Sequence, residues 1–168
     1  MNEVAMEKFQ ILSVTPELIS SASADWKSST DIHTFTLEYG RFFEETLPNS
    51  HKDFFAIALN DSGVILAIVE LISSQGARKT KLIQVTVHPS LLPLEESGNQ
   101  TTLVNVYFAA IKKTFDLAHE HNVTEVKVYG RTDHMLKVLE NTEKLLDESP
   151  MDGFSHVLQS RWLTFYAR

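Results

Sequence analysis

The 168-residue chain predicts a mixed α/β domain of the α+β kind: a mostly antiparallel central sheet of about seven strands flanked by four helices. Three observations predict it. Two apolar runs rich in β-branched and aromatic residues, Phe54–Leu59 and Val64–Ile72, are separated by Asn60-Asp61-Ser62-Gly63, a cluster of turn formers that reads as an antiparallel hairpin. Stretches with apolar residues every three or four positions stand before and after these runs and read as helices. Finally, the strand-like Val123–Tyr129 follows a long helix, so it should return parallel to the strand before that helix.

Taken in order, Phe9–Val14 reads as the first strand, and Thr15-Pro16 ends it. Thr15 is a capping residue and proline is best tolerated in the first helical turn, so a helix should run from Pro16 to about Ser28. A second is expected from Ile32 to Leu47, with Ile32, Phe35, Tyr39, Phe42 and Phe43 on one face and Pro48 closing it. The hairpin follows. Ser73–Thr80 turns the chain into the strand Leu82–Val87, completing a meander, and the basic cluster Arg78-Lys79-Thr80-Lys81 falls in that turn, either solvated or in contact with an anion. A polar loop containing Gly98 leads to a helix beginning near Thr101, whose Leu103, Val106, Tyr107, Ala110, Ile111, Thr114 and Ala118 share a face and which ends near His121-Asn122. After the strand Val123–Tyr129 come a helix over Asp133–Leu146, a break at Pro150–Gly153, and the strands Phe154–Leu158 and Arg161–Tyr166.

Bulk properties narrow the function. Hydrophobic residues at 43% and charged residues at 22% suit one soluble globular domain spanning 1–168. No apolar run is long enough to span a bilayer, and no basic stretch leads an apolar one at the N-terminus, so no membrane partner and a cytoplasmic location are expected. A net charge of −7 opposes a nucleic-acid footprint. With no cysteine there is no thiolate for metal binding or nucleophilic attack. His119 and His121 stand at i, i+2 on a helix end, facing apart, and no metal is expected.

The order strand, two helices, three strands, helix, strand, helix, two strands resembles the GNAT superfamily of acyl-CoA-dependent N-acyltransferases over nearly the whole chain. The Val85-Thr86-Val87-His88-Pro89 run and Gly153-Phe154 resemble that family too. The resemblance implies an acyl donor, acetyl-CoA or another acyl-CoA, with its pyrophosphate on the loop and helix start at Gly98, Asn99, Gln100 and Thr101. Its pantetheine arm would lie along the backbone of Val85, Thr86 and Val87. Of the family's Gln/Arg-x-x-Gly-x-Gly/Ala loop pattern, laid on Glu95, Gly98 and Gln100, only Gly98 matches. A helix N-terminus attracts anions through its unpaired N–H groups and dipole, whereas Glu95 and Glu96 in this loop repel them.

Acyl transfer from a thioester to an amine requires a base for the amine, a donor for the developing oxyanion and a proton for the leaving thiolate. The tyrosine that relatives often use for the last task has no counterpart in Asp133–Asn141, leaving Tyr129 and Tyr166 as the nearest substitutes. Glu70, inside an apolar strand, and His88, at a strand end, are the candidate bases. Each has a bland reading: a core or surface tyrosine, a solvent-facing glutamate, a capping histidine. The aromatic helix Phe35, Tyr39, Phe42 and Phe43 is either core or the lining of an acyl pocket. The expected activity is N-acyltransfer, acetyl by preference, to a small-molecule or protein amine, with a homodimer as the assembly to test. The rivals are a GNAT-like domain without catalysis that serves as an interaction module, and a relative making acylated signal molecules from another donor.

Overall fold

The computed structural model describes residues 8–49, 53–74, 76–92 and 98–168. Its strands are β1 (Phe9–Ser13), β2 (Asp53–Leu59), β3 (Ile65–Ser74), β4 (Lys79–Val87), β5 (Glu125–Tyr129), β6 (Phe154–Gln159) and β7 (Trp162–Ala167). Its α-helices are α1 (Pro16–Ser28), α2 (Ile32–Phe35), α3 (Leu47–Asn49), α4 (Asn99–Glu120) and α5 (Asp133–Glu148). The strands form one open sheet in the order β1-β2-β3-β4-β5-β7-β6. β1 with β2, β5 with β7 and β6 with β7 pair antiparallel, whereas β4 and β5 pair parallel across the α4 crossover. The basic cluster does not lie wholly in a turn. Arg78 alone remains there, because Lys79 and Lys81 are strand residues in register with Glu125 and Lys127. Tertiary contacts gather into two compact units, one of residues through Ile68 with Thr86–Val106, the other of Val69–Val85 with Tyr107–Arg168.

In the first unit, Thr15 caps α1 by accepting the Leu18 N–H at 3.1 Å, with Pro16 opening the helix. The far end of α1 buries Trp26 completely, and its indole N–H donates to the Ile65 carbonyl at 3.0 Å. Tyr39 and Phe43 meet the indole edge-on at 5.5 and 5.2 Å, the favourable arrangement for aromatic quadrupoles. The aromatic helix is therefore core. The expected single helix over Ile32–Leu47 is divided: α2 passes into π-helical turns at Thr36–Gly40 and Phe42–Thr46 before α3. A physical reason lies in the spacing. Phe35, Tyr39, Phe43 and Leu47 are all buried at strict four-residue intervals. On a regular α-helix four residues overshoot one turn by about 40°, so the stripe would rotate about 120° by Leu47. Wider π turns offset that drift and keep the four side chains on one line.

In the second unit, α4 ends in a Schellman motif: the Val123 N–H reaches the Ala118 carbonyl at 2.8 Å and the Asn122 N–H reaches the His119 carbonyl at 3.2 Å, with Asn122 at φ +53. The buried Thr114 hydroxyl is satisfied by the Ala110 carbonyl one turn back. Phe115 packs edge-on against Phe165 and Phe154, while Val126, Val128, Leu139 and Leu163 complete the core. Thr132 caps α5 by accepting the Met135 N–H at 3.1 Å. Gly130, between β5 and α5, has no room for a side chain: a Cβ there would stand 3.0 Å from Leu136 Cα. Arg161 clamps this turn, its Nε donating to the Gly130 carbonyl at 2.6 Å and its terminal nitrogen to the Arg131 carbonyl and Asp133.

Candidate active site

The parallel pairing of β4 with β5 runs from Lys79↔Glu125 to Leu82↔Val128 and stops, although both strands continue. Beyond that point lies a cavity of about 90 Å³ lined by Gln84, Val85, Tyr107, Tyr129, Arg131, Thr132 and Met135. Local sequence accounts for its walls. Val85 is half-buried on the β4 segment that has left its β5 register, and Tyr129 is the last residue of β5. Tyr107 comes from α4, while Thr132 and Met135 come from the cap and first turn of α5, held by the Arg161 clamp.

Two tyrosines thus face one small space in different settings. Tyr107 is buried, and desolvation raises its pKa, an effect moderated by its hydrogen bond with Thr132. Tyr129 is half-buried, its ring 4.7 Å from that of Trp162, its register partner on β7. The His134 ring packs 5.7 Å from Tyr107, and its buried Nε2 has no hydrogen-bond partner among the described residues. Burial, and secondarily the charge of Lys137, lowers the His134 pKa, so the ring is neutral at physiological pH.

The remaining expected residues of the first unit fall at the end of β4 and the start of α4. The Val87 carbonyl accepts the Tyr39 hydroxyl at 3.1 Å. The burial of Tyr39 raises its pKa, as does the neighbouring Glu38 charge. His88 is 5% exposed and caps the 3₁₀ turn Pro89–Leu91: Nδ1 accepts the Ser90 N–H at 3.1 Å, which in the neutral ring places the proton on Nε2, 3.1 Å from an Asp25 carboxylate oxygen. Both ring nitrogens are thereby engaged, and the capping role expected as the bland reading is realised. Gly98 has φ +87, and a Cβ there would meet nothing within 4 Å, so its glycine serves backbone conformation rather than space. The Asn99 side-chain amide donates to the Ser90 carbonyl at 2.9 Å. Gln100 and Thr101 are exposed on the first turn of α4. Glu95 and Glu96 lie outside the described residues.

No family model matches the chain, and no curated protein matches it. Solved structures do. An acetyltransferase of the GNAT family from Staphylococcus aureus is 13% identical, with a TM-score of 0.43 and coverage of 93% of this chain and 97% of that one. The ribosomal-protein-S18-alanine N-acetyltransferase from Escherichia coli is 10% identical, TM-score 0.46, covering 94% and 90%. Mutant forms of a spermidine/spermine N-acetyltransferase from Vibrio cholerae are 10% identical, TM-score 0.44, covering 95% and 92%. The strand order, with β5 returning parallel to β4, is the arrangement expected from the sequence. The fold is the mixed, mostly antiparallel seven-stranded one expected from the sequence.

On this sheet Glu70 sits in β3, 4% exposed and already engaged in an interaction. Tyr166 does not join Tyr129. It pairs in register with Glu125, four residues or about 13 Å along the strands from the Tyr129↔Trp162 pair, and is 42% exposed. Sequence reasoning placed Tyr107 on the apolar face of α4 and missed its position at the cavity. A phenol on a mostly aliphatic face was the available signal. Arg131, Thr132 and Met135 carried no such signal, because they reach the cavity only through the β5–α5 turn. Among the described residues no group of three or more His, Asp or Glu side chains could hold a metal ion, and no helix is long and apolar enough to cross a membrane.

Proposed function

We propose that the chain is an acyl-CoA-dependent N-acyltransferase that transfers an acetyl group to an amine. The observation that carries this reading is the parting of β4 from β5 after Leu82↔Val128 over a small cavity with two tyrosines. Acyl-CoA supplies a thioester carbonyl as electrophile. The β4 backbone at Ile83–Val85, past its last β5 register partner, is suited to pair with an extended amide-containing arm. The backbone N–H groups at the N-terminal turn of α4, Asn99–Thr101, are suited to phosphate oxygens, with Gly98 setting the entry of the chain into the helix. The cavity is small, about 90 Å³, which suits a short acyl group such as acetyl. We assign Tyr129 to donate the proton to the leaving sulfur and Glu70 to accept a proton from the amine, directly or through water, so that one proton enters and one leaves. Tyr107 positions the cavity wall through Thr132.

A second reading, a GNAT-like domain that binds without catalysis, draws on Glu95 and Gln100 in the loop pattern and on the absence of tyrosine from α5. Thermal unfolding with acetyl-CoA, octanoyl-CoA and free CoA separates the two. At one hundred times its dissociation constant a ligand stabilises by about 2.7 kcal/mol, which corresponds to roughly 5–10 °C for a chain of this size. The proposal expects that shift for acetyl-CoA, a smaller one for octanoyl-CoA, and release of CoA thiol with a panel of primary amines. No shift with any of the three at millimolar concentration would end the acyltransferase reading.

A further inference from the structure

The other end of the same strands carries a separate groove. It has a volume of about 760 Å³, within the range of small-molecule sites, and all of its lining belongs to the second unit. The floor is apolar: Phe115 and Phe154, in edge-to-face contact at 5.6 Å, with Met151 beside them. The rim is polar, with Arg78, Asp116, His119 and Asn122.

Arg78 is the anomaly. Its φ of +51 lies in the left-handed region, in the turn between β3 and β4, at a position that glycine or asparagine normally fills. The conformation is held by its carbonyl, which accepts the Thr124 N–H at 3.1 Å, the Glu125 N–H at 3.2 Å and the Thr124 hydroxyl at 3.4 Å. Such a backbone position tolerates arginine only at a strain that glycine would not incur, so the side chain needs a reason of its own. Among the described residues the guanidinium has no ion pair or hydrogen bond. The other charges of the rim are already answered: Asp116 pairs with Lys112 at 3.3 Å, and the carbonyls ending α4 are taken up by the Schellman bonds. Asn122 and Ser160 also have positive φ, but Asn122 is an ordinary helix-terminating asparagine and Ser160 lies in the β6–β7 turn, outside the lining of the groove.

We propose that this groove binds a small amphipathic carboxylate, its aryl or alkyl body on Phe115, Met151 and Phe154 and its carboxylate on the planar fork of Arg78. A fork of parallel N–H donors matches a carboxylate in two-point contact. The C-terminal end of α4, negative in its dipole, makes a doubly charged phosphate the poorer fit. The groove shares no lining residue with the cavity at Tyr129, so the ligand is distinct from the acyl donor and amine.

Three probes of one shape test this: 4-phenylbutyrate, 4-phenylbutanol and 4-phenylbutylamine, titrated by calorimetry, with amide chemical shifts to locate them. The expected result is that the carboxylate binds at least tenfold tighter than the alcohol or the amine, with shifts at Arg78, His119 and Phe154. Arg78→Gly and Arg78→Gln should each erase that preference, and Arg78→Gly should not lower the melting temperature, since glycine relieves the backbone. Equal binding of the three probes, no binding at 10 mM (on the order of the weakest useful affinity), shifts confined to other residues, or a preference that survives in Arg78→Gly would each overturn the proposal.

Discussion

Replacing Gly130 by alanine sets two physical effects of opposite sign against each other. Gly130 has no left-handed φ, so chain entropy alone predicts that alanine stabilises, by about 0.4–1 kcal/mol. Packing predicts the reverse. The new Cβ would lie 3.0 Å from Leu136 Cα, 3.2 Å from Leu136 N and 3.2 Å from Leu139 Cδ1, where contacts of about 3.5–4.0 Å are comfortable. Two of those three atoms are backbone, so relief requires the first turn of α5 to move by roughly half an ångström or more. It cannot move freely, because Arg161 holds the Gly130 and Arg131 carbonyls and Asp133 from the other side. Overpacking of this kind costs about 1–3 kcal/mol, which exceeds the entropic gain. Taking mid-range values, about 2 kcal/mol of overpacking against about 0.7 of entropic gain, Gly130→Ala should therefore lose roughly 1.3 kcal/mol net, read as a fall in melting temperature of about 3–5 °C. Circular dichroism measures the fall, and acetyl-CoA titration should show weaker binding, because Arg131, Thr132 and Met135 move with the turn. A variant as stable as the parent, or more so, would refute the claim that close packing fixes this wall.

Two further perturbations test other parts. Burial raises the pKa values of Tyr39 and Tyr107, so each adds stability that is fully present below about pH 10 and is lost as pH rises past it, at up to about 1.4 kcal/mol per pH unit per group. Tyr39→Phe should lower stability at pH 7 by about 0.5–1.5 kcal/mol, through the lost bond to the Val87 carbonyl, and flatten the decline between pH 10 and 11; a decline as steep as the parent's in urea titrations counts against the assignment. Met135→Ala should cost about 2–5 kcal/mol yet enlarge the cavity, and competition binding should show the ratio of butyryl-CoA to acetyl-CoA affinity rising; an unchanged ratio in a folded variant would place the acyl group elsewhere.

Much of the fold was legible because its signals are local. Thr15-Pro16 marks a helix start through a hydrogen bond that the structure contains, and Asn122 ends α4 where asparagine tolerates positive φ; the Thr132 cap of α5 became visible only in the structure. The helix over Ile32–Leu47 was legible as helix but not as π-interrupted, since its four-residue stripe departs from the α period by too little to see in one repeat. The strand start at Lys79 was hidden because three charged or polar residues look like a turn until Glu125 and Lys127 pair with them.

Sequence alone determined which segments are strands and helices, their order, and the parallel return of β5, because caps, turn formers and apolar period act over a few residues. It also placed Val85 and Tyr129 among the residues of interest. Which side chains share the cavity was decided only in three dimensions: Tyr107, Thr132 and Met135 meet Val85 and Tyr129 there because β4 and β5 part after Leu82↔Val128 while Gly130 and Arg161 fold the α5 cap back toward them. The same holds for His88, whose capping of the 3₁₀ turn and contact with Asp25 show only once Ser90 and Asp25 meet its two nitrogens. Such pairings depend on long-range register and packing, and no local pattern encodes them.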